Sequence, residues 1–398
     1  MELRMIDRTL LKILYLLVGA IVVAQVLGIS SLVSLMFYLT FPITGLIWLR
    51  TVKGTLITTD IIMIATVAIT VINVLLNAGI TDSSFSFSYF RKLIMFITTL
   101  IFLQASFRIK IDNKMAGFFV KIADCLVLFL IASYFVFGSR MYMLNGNVTN
   151  YLTFGFGNPN LTGIFLACFF ILELYRLFSP ENWKMKMLHI AMAAFLAYFV
   201  FETRSRNSII VLVVITVLAA FVFFRKRWAK YRISRFWAGM LAIFPGVFAA
   251  VYITFINSSW IQNRLGFLVS IGKSLDSRLT VWNPAIEDLK SSPIIGAYSQ
   301  ISNGTGMSQM HNTHIDIACS YGIPILIMVC ILLAKYFYQN GKIYYHKENF
   351  IYILGFACVI LLGMGEAALF SGGLGAYVFA GTFLMLAEKK GTDRGGTK

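Results

Sequence analysis

Charge is scarce in this sequence. Asp, Glu, Lys and Arg make up 13% of its 398 residues, about half the share usual in a soluble domain. With 59% hydrophobic residues and a mean hydropathy of +0.79, that scarcity argues against a soluble globular chain and predicts a polytopic membrane protein. The five cysteines (Cys125, Cys168, Cys319, Cys330 and Cys358) all fall in apolar runs, as small buried apolar residues do, which argues against disulfides and metal ligands. No Gly-x-x-x-x-Gly-Lys-Ser/Thr loop occurs, which argues against ATP hydrolysis in this chain. The segments expected outside the membrane lack an Asp-x-Asp pair and a His/Cys cluster. No catalytic metal and no cofactor are therefore expected.

The net charge is +17, which taken alone points to nucleic acid. Its distribution argues otherwise, because the basic residues cluster at the ends of apolar runs, where they set topology. No nucleic-acid partner is expected. Apolar runs of about 18–22 residues suit helices that cross a hydrocarbon core of about 30 Å. We place twelve, at roughly 9–28, 30–49, 56–78, 92–108, 115–138, 160–178, 187–202, 208–224, 236–256, 315–337, 350–367 and 372–387. The first reads as a signal-anchor helix, since no small-residue cleavage site follows it. With the N-terminus inside, nine of the 34 Lys and Arg residues fall outside, leaving 25 inside. Such a bias supports an even number of spans and both termini in the cytoplasm. The expectation is a single all-α integral membrane domain over 1–398, with one long extracytoplasmic loop at 257–314 and a disordered cytoplasmic tail at 389–398.

Two arginines break the charge rule. Arg204 and Arg206 lie in the short polar break Glu202-Thr203-Arg204-Ser205-Arg206-Asn207, on the outer side, where positive residues are depleted. An anionic ligand is the simplest reason to keep them there. Arginine offers a planar fork of donors that matches phosphate oxygens and stays charged at neutral pH. Arg264, Lys273, Arg278 and Lys290 sit in the long loop, where snorkelling to lipid headgroups is the alternative. Long loops without a span of their own tend to be functional. In this one, Asn283-Pro284 reads as a cap followed by Pro at the first helical position. Leu279, Trp282, Ile286 and Leu289 recur at helical spacing, so a short amphipathic helix on the membrane surface is expected.

Only four histidines occur, and two stand together in His311-Asn312-Thr313-His314, where the loop re-enters the membrane. An imidazole titrates near neutral pH and suits a general base, and helix capping is the plainer alternative. Asp316 and Glu366 lie near outer span ends, placed to orient a histidine or a sugar hydroxyl. Asp60, Asp124 and Glu173 fall within apolar runs, where pairing with Lys, Arg or Tyr on a neighbouring helix is expected.

Three stretches resemble the O-antigen ligase and polysaccharide polymerase family of membrane glycosyltransferases. The first is Phe154-Gly155-Phe156-Gly157-Asn158-Pro159-Asn160-Leu161-Thr162-Gly163, and the second is Thr203-Arg204-Ser205-Arg206. The third runs Ser277-Arg278-Leu279-Thr280-Val281-Trp282, then Pro293-Ile294-Ile295-Gly296, then His311-Asn312. The resemblance covers about residues 150–325. One departure is Tyr298, where the family often has glycine.

That resemblance implies a GT-C-like membrane glycosyltransferase that joins sugar chains at the outer leaflet of a bacterial cytoplasmic membrane. The donor would be a polyprenyl-pyrophosphate-linked glycan, and the transfer would be metal-independent and inverting. Carried over by position, Arg206 and Arg278 would grip the pyrophosphate, aided by Arg204, and His311 would take the acceptor proton. Arg264, Asn158, Asn160, Trp282, Asn312, His314 and Glu366 are the further expected substrate contacts. Expected partners are the donor and acceptor glycans, membrane lipid, and the pathway's chain-length regulator and flippase. A polymerase of capsule, exopolysaccharide or O-antigen leads. A ligase that moves finished glycan to another acceptor, a lipid-linked sugar transporter, and a cell-wall glycan polymerase stay open.

Overall fold

The computed structural model describes residues 5–52, 54–81, 87–145, 149–177, 182–224, 233–256, 276–297, 310–340, 347–367, 369–370 and 376–387. They are almost wholly helical. In chain order run α1 (Met5–Val26), α2 (Ser30–Val52), α3 (Thr58–Thr81), α4 (Phe87–Arg108), α5 (Asn113–Phe137), α6 (Pro159–Arg176), α7 (Trp183–Glu202), α8 (Arg206–Phe224) and α9 (Arg235–Ile256). After them come α10 (Asp276–Ser291), α11 (Thr313–Tyr321), α12 (Ile323–Asn340), α13 (Lys347–Leu362) and α14 (Ala376–Ala387). Each of the twelve expected spans overlaps a helix. Among the described residues seven helices are long and apolar enough to cross a membrane, and four more are apolar but shorter. The chain is a multi-pass membrane protein by these measures.

α6 and α14 form the middle of the bundle. Every residue of α14 and every α6 residue from Thr162 to Glu173 is buried, as expected of helices enclosed on all sides. α6 packs against α7, α8 and α13, and α14 packs against α4 and α13. The peripheral helices turn Leu35, Leu75, Val217 and Val251 outward, an apolar surface suited to lipid rather than water.

Three features differ from the sequence expectations. The tenth expected span is broken at Gly322, whose φ of +96° lies in the region that favours glycine. An added Cβ there would strike the Ile294 backbone, so the break is also a packing contact. α10 starts seven residues before Asn283, and Pro284 lies inside it rather than at its first turn. The apolar side of α10 is not free to rest on lipid, because Val281, Trp282 and Ala285 are buried in a cluster with Ala249, Met310 and Cys319. Finally, a small antiparallel hairpin joins α5 to α6, with β1 (Tyr142–Asn145) paired to β2 (Thr149–Leu152). β1 ends at Asn145, the first residue of an Asn-Gly pair in the sequence, a pair that favours hairpin turns.

Gln25, near the end of α1, donates to the Gly155 carbonyl before α6, and Asn207, in the first turn of α8, donates to the Leu362 carbonyl at the end of α13. Lys92, early in α4, reaches Asp316 of α11, so these helix ends lie at one end of the bundle. The segments that resemble the family lie there too, and we term it the site end. Arg264, Tyr298, most of the long loop and the C-terminal tail lie outside the described residues.

Candidate active site

Three separated stretches meet at the site end, and small residues let them. Asn158 caps α6, its side chain accepting from the backbone N–H groups of Asn160 (2.8 Å) and Leu161 (3.3 Å). One turn on, Gly163 faces the α7–α8 turn so closely that an added Cβ would lie 2.8 Å from Ser205 Cβ. Only glycine permits that approach. The turn is knitted by Thr203 Oγ1, which accepts from the Ser205 N–H at 3.2 Å, and by the Ser205 and Ser208 hydroxyls, 2.9 Å apart. Asn207 then donates to the Leu362 carbonyl at 2.6 Å. Next to Leu362, the Gly363 carbonyl accepts from the Thr313 N–H at 2.9 Å. A continuous chain of contacts therefore runs from the Asn158 stretch through the arginine turn to the His311 stretch.

Backbone strain marks the same places. Among the described residues, only three other than glycine have positive φ: Phe154 (46°), Arg204 (55°) and His311 (49°). Each falls in a different one of the three stretches. Such conformations cost about 1–3 kcal/mol each and cluster at functional sites. At Arg204 the turn leaves the side chain exposed, with its guanidinium carbon 5.5 Å from the centre of the Tyr151 ring on the hairpin. That is a cation–π distance. Arg206, the first residue of α8, is exposed as well. A pair of exposed arginines on a turn fixed from three sides suits an anion with several oxygens.

The two neighbouring histidines are placed very differently. His311 Nδ1 lies 2.8 Å from Glu366 Oε2, with 25% of the histidine side chain exposed and 1% of the glutamate. A carboxylate accepts, so Nδ1 donates to it, and in the neutral form of the ring the lone pair is on Nε2. His314 is buried, and its Nε2 donates to the Ala242 carbonyl at 2.8 Å. Its Cβ lies against Gly246, where an added Cβ would sit 3.3 Å away. His314 thus pins α11 to α9, next to Pro245.

Several expected substrate contacts turn out to be enclosed. Asn312 is wholly buried and caps α11, accepting from the His314 and Ile315 N–H groups. Its amide donates to the Pro245 (2.9 Å) and Met364 (3.1 Å) carbonyls. Trp282 is also wholly buried and donates through Nε1 to the Met310 carbonyl at 2.6 Å. Both were expected as glycan contacts; in the structure neither has an exposed face, and both are bonded to the segments around His311. Asn158 acts as a cap, and Asn160 is partly exposed at the start of α6. Arg278 lies in the first turn of α10. The Pro293–Gly296 motif seats against the end of α11, where Ala297 N–H donates to the Cys319 carbonyl at 2.7 Å and Ile323 N–H to the Pro293 carbonyl at 2.9 Å.

The hairpin and Tyr151 were absent from the sequence reading, although Asn145-Gly146 between two short β-prone runs was the available signal. One set of side chains among the described residues has the spacing to hold a metal ion, namely Asp124, Glu173 and His189. Glu173 and His189 lie near the other ends of α6 and α7, away from the arginine turn.

In comparison with known proteins, the family model described as O-antigen ligase matches residues 191–330. None of the curated proteins matches the chain. The matched stretch takes in the arginine turn, α10 and the His311-Asn312 segment, and the Asn158 stretch and Glu366 lie beyond it. Over residues 191–330, less than half of its length, the chain is thus similar to the O-antigen ligase family.

Proposed function

We propose that this chain is a polymerase that lengthens a surface polysaccharide by whole repeat units, using a polyprenyl-pyrophosphate-linked oligosaccharide as donor. In this reading all twelve expected spans cross the bacterial cytoplasmic membrane, the fold is GT-C-like, both termini are cytoplasmic and the site end is extracytoplasmic. The observation that carries it is the His311–Glu366 pair, a part-exposed imidazole oriented by an enclosed carboxylate at 2.8 Å. It shares one end of the bundle with the exposed Arg204 and Arg206.

The chemistry follows from those placements. The acceptor hydroxyl gives its proton to His311 Nε2 while its oxygen forms the new bond to the anomeric carbon of the donor. The bond from that carbon to the pyrophosphate oxygen breaks, and the lipid pyrophosphate leaves with the electron pair. Attack from the face opposite the leaving group inverts the anomeric centre. Charge builds on the leaving pyrophosphate, where Arg206, Arg278 and Arg204 stabilise it with fixed donors. No metal is needed in this scheme because the guanidiniums supply the positive charge. Glu366 holds the tautomer of His311 and steadies the imidazolium that forms.

The matched family description favours a second reading, a ligase that moves finished glycan to a different acceptor. Both readings use the same groups and differ in the acceptor. The test is purified protein in detergent with a synthetic polyprenyl-pyrophosphate oligosaccharide and excess EDTA, with products resolved by size. A ladder that lengthens by whole repeat units supports the polymerase. Transfer only to a different added acceptor supports the ligase. No transfer, with lipid-linked sugar crossing the bilayer of liposomes, overturns both and supports a transporter.

A further inference from the structure

The left-handed backbone of His311 (φ 49°) persists only if its surroundings over-determine it. Met310, the residue before it, is held at both of its backbone groups. Its carbonyl accepts from Trp282 Nε1 at 2.6 Å, and its N–H donates to Asp316 Oδ1 at 3.2 Å. The same Asp316 oxygen accepts from Lys92 Nζ at 2.9 Å, and Lys92 also donates to Ser320 Oγ at 2.8 Å. The Lys92 and Asp316 side chains are 11% and 2% exposed. Lys92 belongs to α4, so this ion pair ties the first third of the chain to α11.

A buried ion pair adds little net stability compared with apolar packing, because desolvation offsets the attraction. What it supplies is a fixed location. We infer that Lys92 is a positioning residue for His311, acting through Asp316 and Met310. It anchors Asp316, which with Trp282 clamps Met310 and sets the strained turn that brings His311 Nδ1 to Glu366. This inference rests on the reading of His311 as the base.

The test uses the full-length purified protein as wild type, Lys92→Arg, Lys92→Met and Lys92→Met/Asp316→Asn. The double variant leaves no unpaired buried charge, so it keeps the test open if Lys92→Met alone fails to fold. Glycan transfer kinetics and thermal unfolding are measured on each. Mass spectrometry maps the modification of His311 by diethyl pyrocarbonate, a readout that needs no turnover. Lys92→Met, or the double variant in its place, should lower kcat about tenfold or more. Donor KM should change little, as when an interaction made only in the transition state is lost. Lys92→Arg should keep most of the activity, and His311 should become severalfold more reactive when the clamp is cut. Wild-type kcat, a loss confined to KM, a loss that only tracks the folded fraction, or unchanged His311 reactivity would each overturn the inference. A wild-type protein that transfers no glycan would instead count against the enzyme reading, and the modification data would still judge the placement of His311.

Discussion

At the end of the bundle away from the site, Asp60 is fully enclosed and its two oxygens are fully used. Gln104 and Trp48 donate to Oδ1 at 2.7 and 3.2 Å, and the Ile57 N–H donates to Oδ2 at 2.9 Å. Arg108 completes the set as an ion pair. Glu173 and His189 are likewise enclosed together, 2.7 Å apart. At the site end Arg204 and Arg206 are exposed and His311 is part-exposed. Arg204 and Arg206 project from a knitted turn, and His311 keeps a quarter of its side chain exposed while Glu366 fixes the other face of its ring. The backbone differs in the same sense. Asp60 and Glu173 sit in regular helix, whereas Arg204 and His311 occupy left-handed positions. A buried charge whose every lone pair is satisfied holds helices together. A supported group that keeps part of its surface exposed is placed to meet something else.

The largest effect should come from the part-exposed imidazole. His311→Ala should cut chain growth by about 10³-fold, the middle of the range for a lost general base, as measured by initial rates on purified protein. Arg206→Lys keeps the charge and removes the fork, and should lose about 10²-fold in rate at normal expression. Near-normal polymer from that variant would remove the arginine turn from the pyrophosphate role. His314→Ala should be milder, with a loss of severalfold and a lowered unfolding temperature, since His314 joins α11 to α9. If His314 proves the more sensitive of the two, the contrast between the histidines is wrong. Arg108→Met should leave activity per folded molecule unchanged. It should destabilise the protein by about 3–5 kcal/mol, the usual cost of stranding a buried charge, read as a drop in thermal midpoint.

Much of this contrast was legible in the sequence, because membrane insertion is written in one dimension. Apolar run length located helices at all twelve positions, and the rarity of outer positive charge singled out Arg204 and Arg206. The expectation that intramembrane acids pair between helices fits Asp60 with Arg108. What hydropathy could not carry was partner choice. Nothing in the local sequence marks Lys92 as a partner of the His311 segment, yet it reaches Asp316 over 200 residues away in the chain. Trp282 and Asn312 were read as glycan contacts because their motif is functional, but both support it from within. The start of α10 was misplaced because Asn283-Pro284 looks like a cap, whereas the helix begins at Asp276 and runs through Pro284, with Val281, Trp282 and Ala285 buried in one cluster. Glu366 was noted as an orienting carboxylate without its partner, since 55 residues separate it from His311.

The most direct measurement is chemical rescue of His311→Ala by free imidazole in the EDTA-treated polymerisation assay. Imidazole should restore a measurable part of chain growth to this variant and none to Arg206→Ala, since only the first lacks a base. An His311→Ala protein that extends chains at the wild-type rate without imidazole would contradict the reading of His311 as the base.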